Sequence, residues 1–152
     1  MNEGFLGTAA SRHADLILLL EISMGLGLLV GALLARMRRF RAHAVCQSAI
    51  VLLNVAIIAL VMVPSFRVQV SPKVPLKIGK AYYVLATAHA ALGSVVECGG
   101  LYILLAAGTK LLLESLRVMR YKLWMRTVLV GWWVVLSLGL ATYARWYMPH
   151  LF

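Results

Sequence analysis

Long uninterrupted runs of apolar residues dominate the chain, and short polar or basic stretches separate them. Crossing the hydrocarbon core of a bilayer takes roughly 20 residues of helix. Four runs reach this length, at residues 14–35, 44–63, 82–107 and 125–147. A spanning segment must be a helix or part of a closed barrel, and barrel strands would alternate apolar and polar positions. The continuous runs therefore predict an all-α integral membrane four-helix bundle, with one domain over residues 1–152.

The composition agrees with a membrane domain. Hydrophobic residues make up 62% of the 152 positions and charged residues 13%, whereas soluble domains are about half apolar and a quarter charged. A cleaved signal peptide is the rival interpretation of the first apolar run. That run lacks a basic leader and carries Glu21 within it, so we expect it to be a retained helix of a multi-pass protein.

Basic residues outnumber acidic ones by fifteen to five, which gives a net charge of +10. In a soluble protein such a balance would suggest nucleic acid, but here it indicates orientation. The stretches after the first and third runs hold most of the basic side chains, namely Arg36, Arg38, Arg39, Arg41, Lys110, Arg117, Arg120, Lys122 and Arg126. The positive-inside rule then places loops one and three in the cytoplasm and both termini outside. We expect contact with anionic lipids and no nucleic-acid partner.

Two connecting segments are long enough to carry local structure. Residues 64–80 contain three prolines, and the apolar alternation at Phe66, Val68 and Val70 predicts a short extended or interfacial segment. Residues 108–124 hold a leucine-rich stretch with basic residues between the leucines. That pattern is typical of a cytoplasmic helix extension or of a helix lying in the membrane interface.

Ionisable side chains within a span are functional candidates, because they are costly in hydrocarbon. Glu21 and His89 each lie about seven residues from the outer face of their helices, so the helix rise predicts similar depths and a contact between them. Asn54 of the second run would then orient the imidazole. The predicted cofactor-binding set is His89, Glu21 and Asn54, and a polar knot that fixes helix register is the alternative. Glu97 shares a face with His89 and would either relay a proton or line the same interface.

A second group of candidate ligands lies nearer the cytoplasmic face. His43, Cys46 and Cys98 together would suit Cu(I), and two inert buried thiols are the alternative. The helix rise separates His43 from His89 by roughly 20 Å, so one haem iron cannot bind both. Covalent haem attachment is not predicted either, because the chain has no CxxCH.

Glycine and aromatic residues suggest how the helices pack. Gly27 and Gly31 form a GxxxG, which predicts a close contact either within the bundle or with another subunit. Most Trp and Tyr residues lie near the helix ends, as in an interfacial belt. Trp132 and Trp133 lie deeper and would pack in the bundle, against lipid or against a pigment, quinone or haem. No phosphate loop, Ser/His/Asp set or metalloprotease motif is visible, so no catalytic residue is predicted.

The last third of the chain carries the most distinctive pattern. Residues 120–127 read RYKLWMRT, and Gly131, Trp132, Trp133, Gly139 and Tyr143 follow. Earlier, Ala81-Tyr82-Tyr83 leads to His89-Ala90-Ala91-Leu92, and Arg38-Arg39 leads to His43. Over residues 25–147 the chain resembles a bacterial family of small four-helix membrane proteins that includes the haem–copper oxidase maturation factor CtaM.

The resemblance carries expectations about site residues. Members of that family place a histidine at the start of helix two, near its end, early in helix three and just before helix four. His43 matches the first position and His89 the third, whereas the second falls at residues 62–65, which hold no histidine, and the fourth at Tyr121. The resemblance implies a helper in the maturation or stability of a terminal oxidase. The two absent histidines imply a shift towards a structural role.

These observations together predict a non-enzymatic accessory or assembly subunit of a membrane respiratory or other electron-transfer complex. It would lie in the bacterial inner membrane as a multi-pass protein and act through intramembrane contacts with other subunits and with lipids. The alternative is a small b-type haem or quinone-binding electron-transfer protein that uses His89. No resident cofactor is the leading expectation, haem b the next, and copper the third.

Overall fold

The computed structural model describes residues 4–77, 79–108 and 120–148. Its helices are α1 (Arg12–Arg36), α2 (Phe40–Ile57), α3 (Val63–Gln69), α4 (Val74–Lys77), α5 (Ala81–Gly108) and α6 (Tyr121–Tyr147). A π-helical turn, Ile58–Met62, joins α2 to α3, and a 3-10 turn, Ser71–Lys73, joins α3 to α4. The described ranges contain no strand, so the prediction of an all-α fold is confirmed for that part of the chain.

Four helical stretches are long and apolar enough to cross a membrane: Arg12–Arg36, Phe40–Lys77, Ala81–Gly108 and Tyr121–Tyr147. They contain the four predicted runs and begin one to four residues earlier. The chain is therefore a multi-pass membrane protein built as a helical bundle. The side of the membrane that each loop faces stays a prediction.

The second span continues through Pro64, where the sequence pattern predicts the helix to stop. Proline has no backbone N–H, and its ring clashes with the carbonyl four residues earlier, here that of Leu60. The π-helical turn widens the helix just before the proline, and the N–H of Val63 bonds to the carbonyl of Ile58. This wider turn accommodates the ring, so the predicted boundary at residue 63 is wrong and the helix reaches Gln69.

The alternation at residues 66–70 predicted an extended or interfacial segment, and the extended alternative is wrong. In α3 the side chains of Phe66 and Val70 lie one helical turn apart on the inner face, where they pack with Tyr83. Val68 lies between them in sequence but is 75% exposed. A strand would place all three side chains on one face, whereas the helix separates them. Three alternating apolar residues are too few to distinguish the period of a strand from that of a helix.

The helices form a ring in which each contacts two neighbours. α1 packs mainly on α2, and α5 packs mainly on α6; α6 also contacts α1, and α2 also contacts α5. The core of the ring consists of Met24, Leu28, Ile57, Val96 and Trp132. Trp132 therefore packs within the bundle, which was one of its predicted environments.

Glycines allow the ring to close tightly. A Cβ atom at Gly27 would meet Ile50 of α2 at 2.8 Å, and one at Gly31 would overlap the side chain of Gln47. A Cβ atom at Gly131 of α6 would meet Val96 of α5 at 2.7 Å. The GxxxG of α1 thus serves a contact inside the bundle, because small residues let two membrane helices approach.

The bundle has two distinct ends. At the arginine end, α1 ends at Arg36 and Arg38 adopts a left-handed φ of 58°, which reverses the chain into α2. At the opposite end, which we name the clasp end, the N–H of Ala9 bonds to the carbonyl of Tyr147 at 3.3 Å. The start of α1 and the end of α6 therefore lie together. The predicted helix extension in the third loop falls on residues 109–119, outside the described residues.

Candidate functional site

A cavity of about 260 Å³ lies in the half of the bundle nearer the clasp end. α1, α6, the π-helical turn and α3 form most of its wall, and His89 of α5 completes it. Its apolar lining includes Ile17, Met62 and Leu136, and Glu21 adds a carboxyl group. We name this half the open half. The closed half extends from the arginine end to the level of Asn54 and Glu97, where side chains of neighbouring helices are in direct contact.

Glu21 and His89 both line the cavity, as expected from their similar predicted depths. No direct hydrogen bond joins them among the described residues. The Oε1 atom of Glu21 is buried and has no hydrogen-bond partner in the described part of the chain. A buried carboxyl oxygen without a partner requires an explanation, such as a water or a ligand.

The orientation of His89 is set by α6. Its Nδ1 atom lies 3.0 Å from the carbonyl oxygen of Val135. A carbonyl can only accept, so Nδ1 carries the proton and donates, and Nε2 holds the lone pair in the neutral ring. The ring reaches this carbonyl because Gly139, one turn further along α6, has no side chain; a Cβ atom there would meet Cε1 of His89 at 2.9 Å.

Asn54 does not orient His89, contrary to the prediction. Its Nδ2 atom donates to Oε2 of Glu97 at 2.7 Å, and both side chains are buried. The prediction compared the depth of Asn54 only with that of His89. Glu97 lies two turns further along α5, and its carboxyl group accepts from the amide of Asn54. Asn54 and Glu97 thus join α2 to α5, whereas the predicted polar knot combined Asn54 with Glu21 and His89. The other oxygen of Glu97, Oε1, has no partner among the described residues.

The structure separates the three candidate copper ligands. Nδ1 of His43 donates to the carbonyl of Gly31 at 2.8 Å, and Sγ of Cys46 donates to the carbonyl of Gly27 at 3.5 Å. Cys98 is exposed. No group of three His, Cys, Asp or Glu side chains within the described ranges is placed to hold a metal ion. His43 and Cys46 instead join α2 to the carbonyls that the glycines of α1 leave accessible.

Asp15 was not among the candidate residues, yet it is the most buried charged side chain of the described chain, at 0% exposed. Its Oδ2 atom accepts from the N–H of Leu6 at 3.0 Å, and its Oδ1 atom accepts a short hydrogen bond from Tyr143. The same Tyr143 hydroxyl lies 2.7 Å from Oγ1 of Thr8. This network, which we name the clasp, fastens the segment before α1 to α6.

A local signal for the clasp exists in the sequence. Asp15 lies in the first turn of α1, just after the N-cap Ser11, whose side chain accepts from the N–H of Ala14. Acidic residues favour that position because of the helix dipole, so the pattern indicates a helix start and gives no reason to expect a distant partner. The partner, Tyr143, is 128 positions away.

Comparison of the chain with protein-family models, with curated proteins and with solved structures found no match. The resemblance to the bacterial four-helix family therefore stays a prediction. The fold and the site define the class: a multi-pass helical bundle of the membrane with a closed half, a clasp and a partly polar cavity between them.

Proposed function

We propose that the protein is a non-enzymatic accessory subunit of a membrane electron-transfer complex in the bacterial inner membrane. The observation that supports this proposal most directly is a shallow, largely open groove on the outer surface of α6. Leu129, Val130, Trp133, Val134 and Ser137 line it over two helical turns. A groove of this kind suits the ridge of side chains on a neighbouring helix.

The position of the groove strengthens the proposal. Within the most apolar stretch of α6, only 6% of the residues are fully buried inside the bundle, and the groove residues Val130, Val134 and Ser137 are exposed. Lipid covers a smooth helix surface well, whereas close packing against a partner helix depends on shape. A partner subunit with a transmembrane helix of alternating small and large residues would fit along α6.

Photo-crosslinking in native membranes tests this proposal. A benzoylphenylalanine at Val130, which lines the groove and is 63% exposed, should give one dominant protein adduct that belongs to an electron-transfer complex. The matched control is the same probe at Val95 of α5, which is 69% exposed but lies outside the groove and should give mainly lipid adducts. Deleting the protein should also lower the amount or activity of that complex. Equal adducts at both positions, or unchanged complexes in the deletion strain, would contradict the proposal.

A second candidate function is a small electron carrier that uses His89. The cavity favours it, because a histidine with an available Nε2 lone pair and a carboxyl group line the same space. Its volume of about 260 Å³ suits a quinone ring better than a haem, since protein cavities of roughly 150 Å³ accommodate a benzene ring. Under this candidate the purified protein carries quinone, and His89→Ala removes it. Stoichiometric haem absorbance that His89→Ala abolishes would instead favour a b-type cytochrome.

A further inference from the structure

We propose that the cavity of the open half is an aqueous half-channel, which brings water and protons from the clasp end of the bundle to Glu21 and His89. This inference goes beyond the accessory role and does not depend on the identity of any partner complex. It rests on the depth of the cavity, on the polar side chains within its lining and on the carboxyl group of Glu21 at its inner end.

The cavity reaches from the helix end to the interior of the span. Ser11, the N-cap of α1, and Glu21 both line it. Ten residues separate these two positions, and a helix rise of about 1.5 Å per residue makes the cavity roughly 15 Å deep. A group that lines its inner end is therefore connected to the membrane surface without crossing the closed half.

The volume and the lining suit water. A cavity of about 260 Å³ is large enough for several waters. Apolar cavities stay dry, and a buried water needs two to four polar partners. Ser65, Gln69 and Thr142 supply such partners between the mouth and the inner end.

The titratable groups along the cavity belong to three helices. α1 contributes His13 and Glu21, α5 contributes His89, and α6 contributes Tyr143 and Tyr147. The π-helical turn and α3 add no titratable group to the lining. Glu21 lies at the inner end of this lining, so water in the cavity contacts its side chain. A proton delivered by that water converts the carboxylate to the acid, and the reverse step returns it to the clasp end.

Glu97 marks the inner limit of the half-channel. It is close enough to Glu21 for the two carboxyl groups to interact electrostatically. However, it does not line the cavity, and Asn54 occupies its Oε2 atom. Proton exchange with Glu21 is therefore direct, whereas Glu97 lies outside the cavity lining and should exchange more slowly.

Cysteine accessibility in reconstituted vesicles tests the half-channel. In a background with Cys46→Ala and Cys98→Ala, Glu21→Cys and Leu18→Cys should react with a small, charged methanethiosulfonate, because thiolates form in water and not in apolar surroundings. The matched control is Leu20→Cys, which lies at the same depth on α1 but faces outwards, 41% exposed, and does not line the cavity. We expect the two cavity positions to react at least about tenfold faster than the control, which corresponds to about one unit of thiol pKa.

Leu18→Cys leaves Glu21 in place, so it decides the result if Glu21→Cys does not fold. Equal rates for Leu18→Cys and Leu20→Cys would overturn the half-channel. A reaction that appears only after bound organic molecules have been extracted would also overturn it and would favour the quinone site.

Infrared spectroscopy of the unlabelled protein tests proton exchange independently. In D₂O, one carboxyl band should shift quickly and disappear in Glu21→Gln, whereas a second band should shift more slowly and disappear in Glu97→Gln. Carboxyl bands that do not respond to D₂O would contradict proton access.

Discussion

The two halves of the bundle differ in what surrounds their polar side chains. In the closed half, His43 and Gln47 of α2 donate to carbonyls of α1, and Asn54 donates to Glu97 of α5. In the open half, the helices stand apart around a cavity, and Glu21 directs a carboxyl oxygen that has no partner in the described chain. The closed half thus uses polar groups to fix the positions of its helices. In the open half, His89 and the clasp also join helices, but Glu21 lines a cavity where it is available to something that enters from outside.

The largest expected effect is the disruption of the closed half at its tightest contact. Gly31→Leu places a side chain where Gln47 lies, so the hydrogen bond from Gln47 to the carbonyl of Leu28 is lost and the helices move apart. Overpacking of this kind costs about 1–3 kcal/mol. SDS titration or steric trapping would measure the loss in the free energy of unfolding.

The control for this substitution is Gly108→Leu at the end of α5, where an added Cβ atom meets nothing within 4 Å among the described residues. Its free energy of unfolding should stay close to that of the native chain. Equal losses at both glycines would show that the closed half is not held together by the α1–α2 contact.

A second substitution tests whether the Asn54–Glu97 hydrogen bond stabilises the bundle. Asn54→Leu keeps the branched shape and the number of heavy atoms of the side chain but leaves Oε2 of Glu97 without its donor. We expect a loss of about 1.5 kcal/mol, near the upper end for interhelical hydrogen bonds in membranes. The same unfolding assay measures it, and the double variant with Glu97→Leu should recover part of the loss. No recovery would mean that the two side chains act independently.

A third substitution, in the open half, should change the geometry of the His89 side chain with little effect on the stability of the bundle. Gly139→Ala pushes against the imidazole of His89, so the bond from Nδ1 to the carbonyl of Val135 should weaken and the ring should lose its single tautomer. Nitrogen NMR of labelled histidine would detect this change, with a stability loss of at most about 1 kcal/mol. The control is Gly93→Ala, where the added Cβ atom meets Val135 at an ordinary 3.4 Å. An unchanged His89 spectrum in Gly139→Ala would contradict the assignment.

The smallest expected effect on stability is that of a substitution at Glu21, and it tests the difference between the two halves. Glu21→Gln in the open half should change the free energy of unfolding by less than about 0.5 kcal/mol, the range of substitutions that break no structural contact. The reason is that Oε1 of Glu21 has no partner in the described chain that the substitution could remove. The same unfolding assay measures the difference from the native chain. A loss as large as that of Asn54→Leu would give Glu21 a structural role and remove the distinction between the halves.

The sequence predicted the four spans well because bilayer thickness and backbone hydrogen bonding leave so few alternatives. Predictions from the local sequence were wrong where tertiary packing determines the structure. The expectation that a helix stops at a proline did not allow for the π-helical turn before Pro64. This wider turn accommodates the proline ring within the helix. Depth counting brought Glu21 and His89 to one cavity but gave Asn54 the wrong partner, because depth alone does not specify which faces meet. Asp15 was missed because its partners come from both ends of the chain.

The clasp can form only late in synthesis, because its partners are far apart in the sequence. Asp15 leaves the ribosome long before Tyr143, since 128 positions separate the two residues. At about 5–20 residues per second, the carboxyl group waits roughly 6–26 s for its hydroxyl donor. During that interval α1 can enter the membrane and pair with α2, but the segment from Gly4 to Ala10 has no α6 on which to close. The clasp therefore closes only after α6 has been synthesised and has joined the bundle.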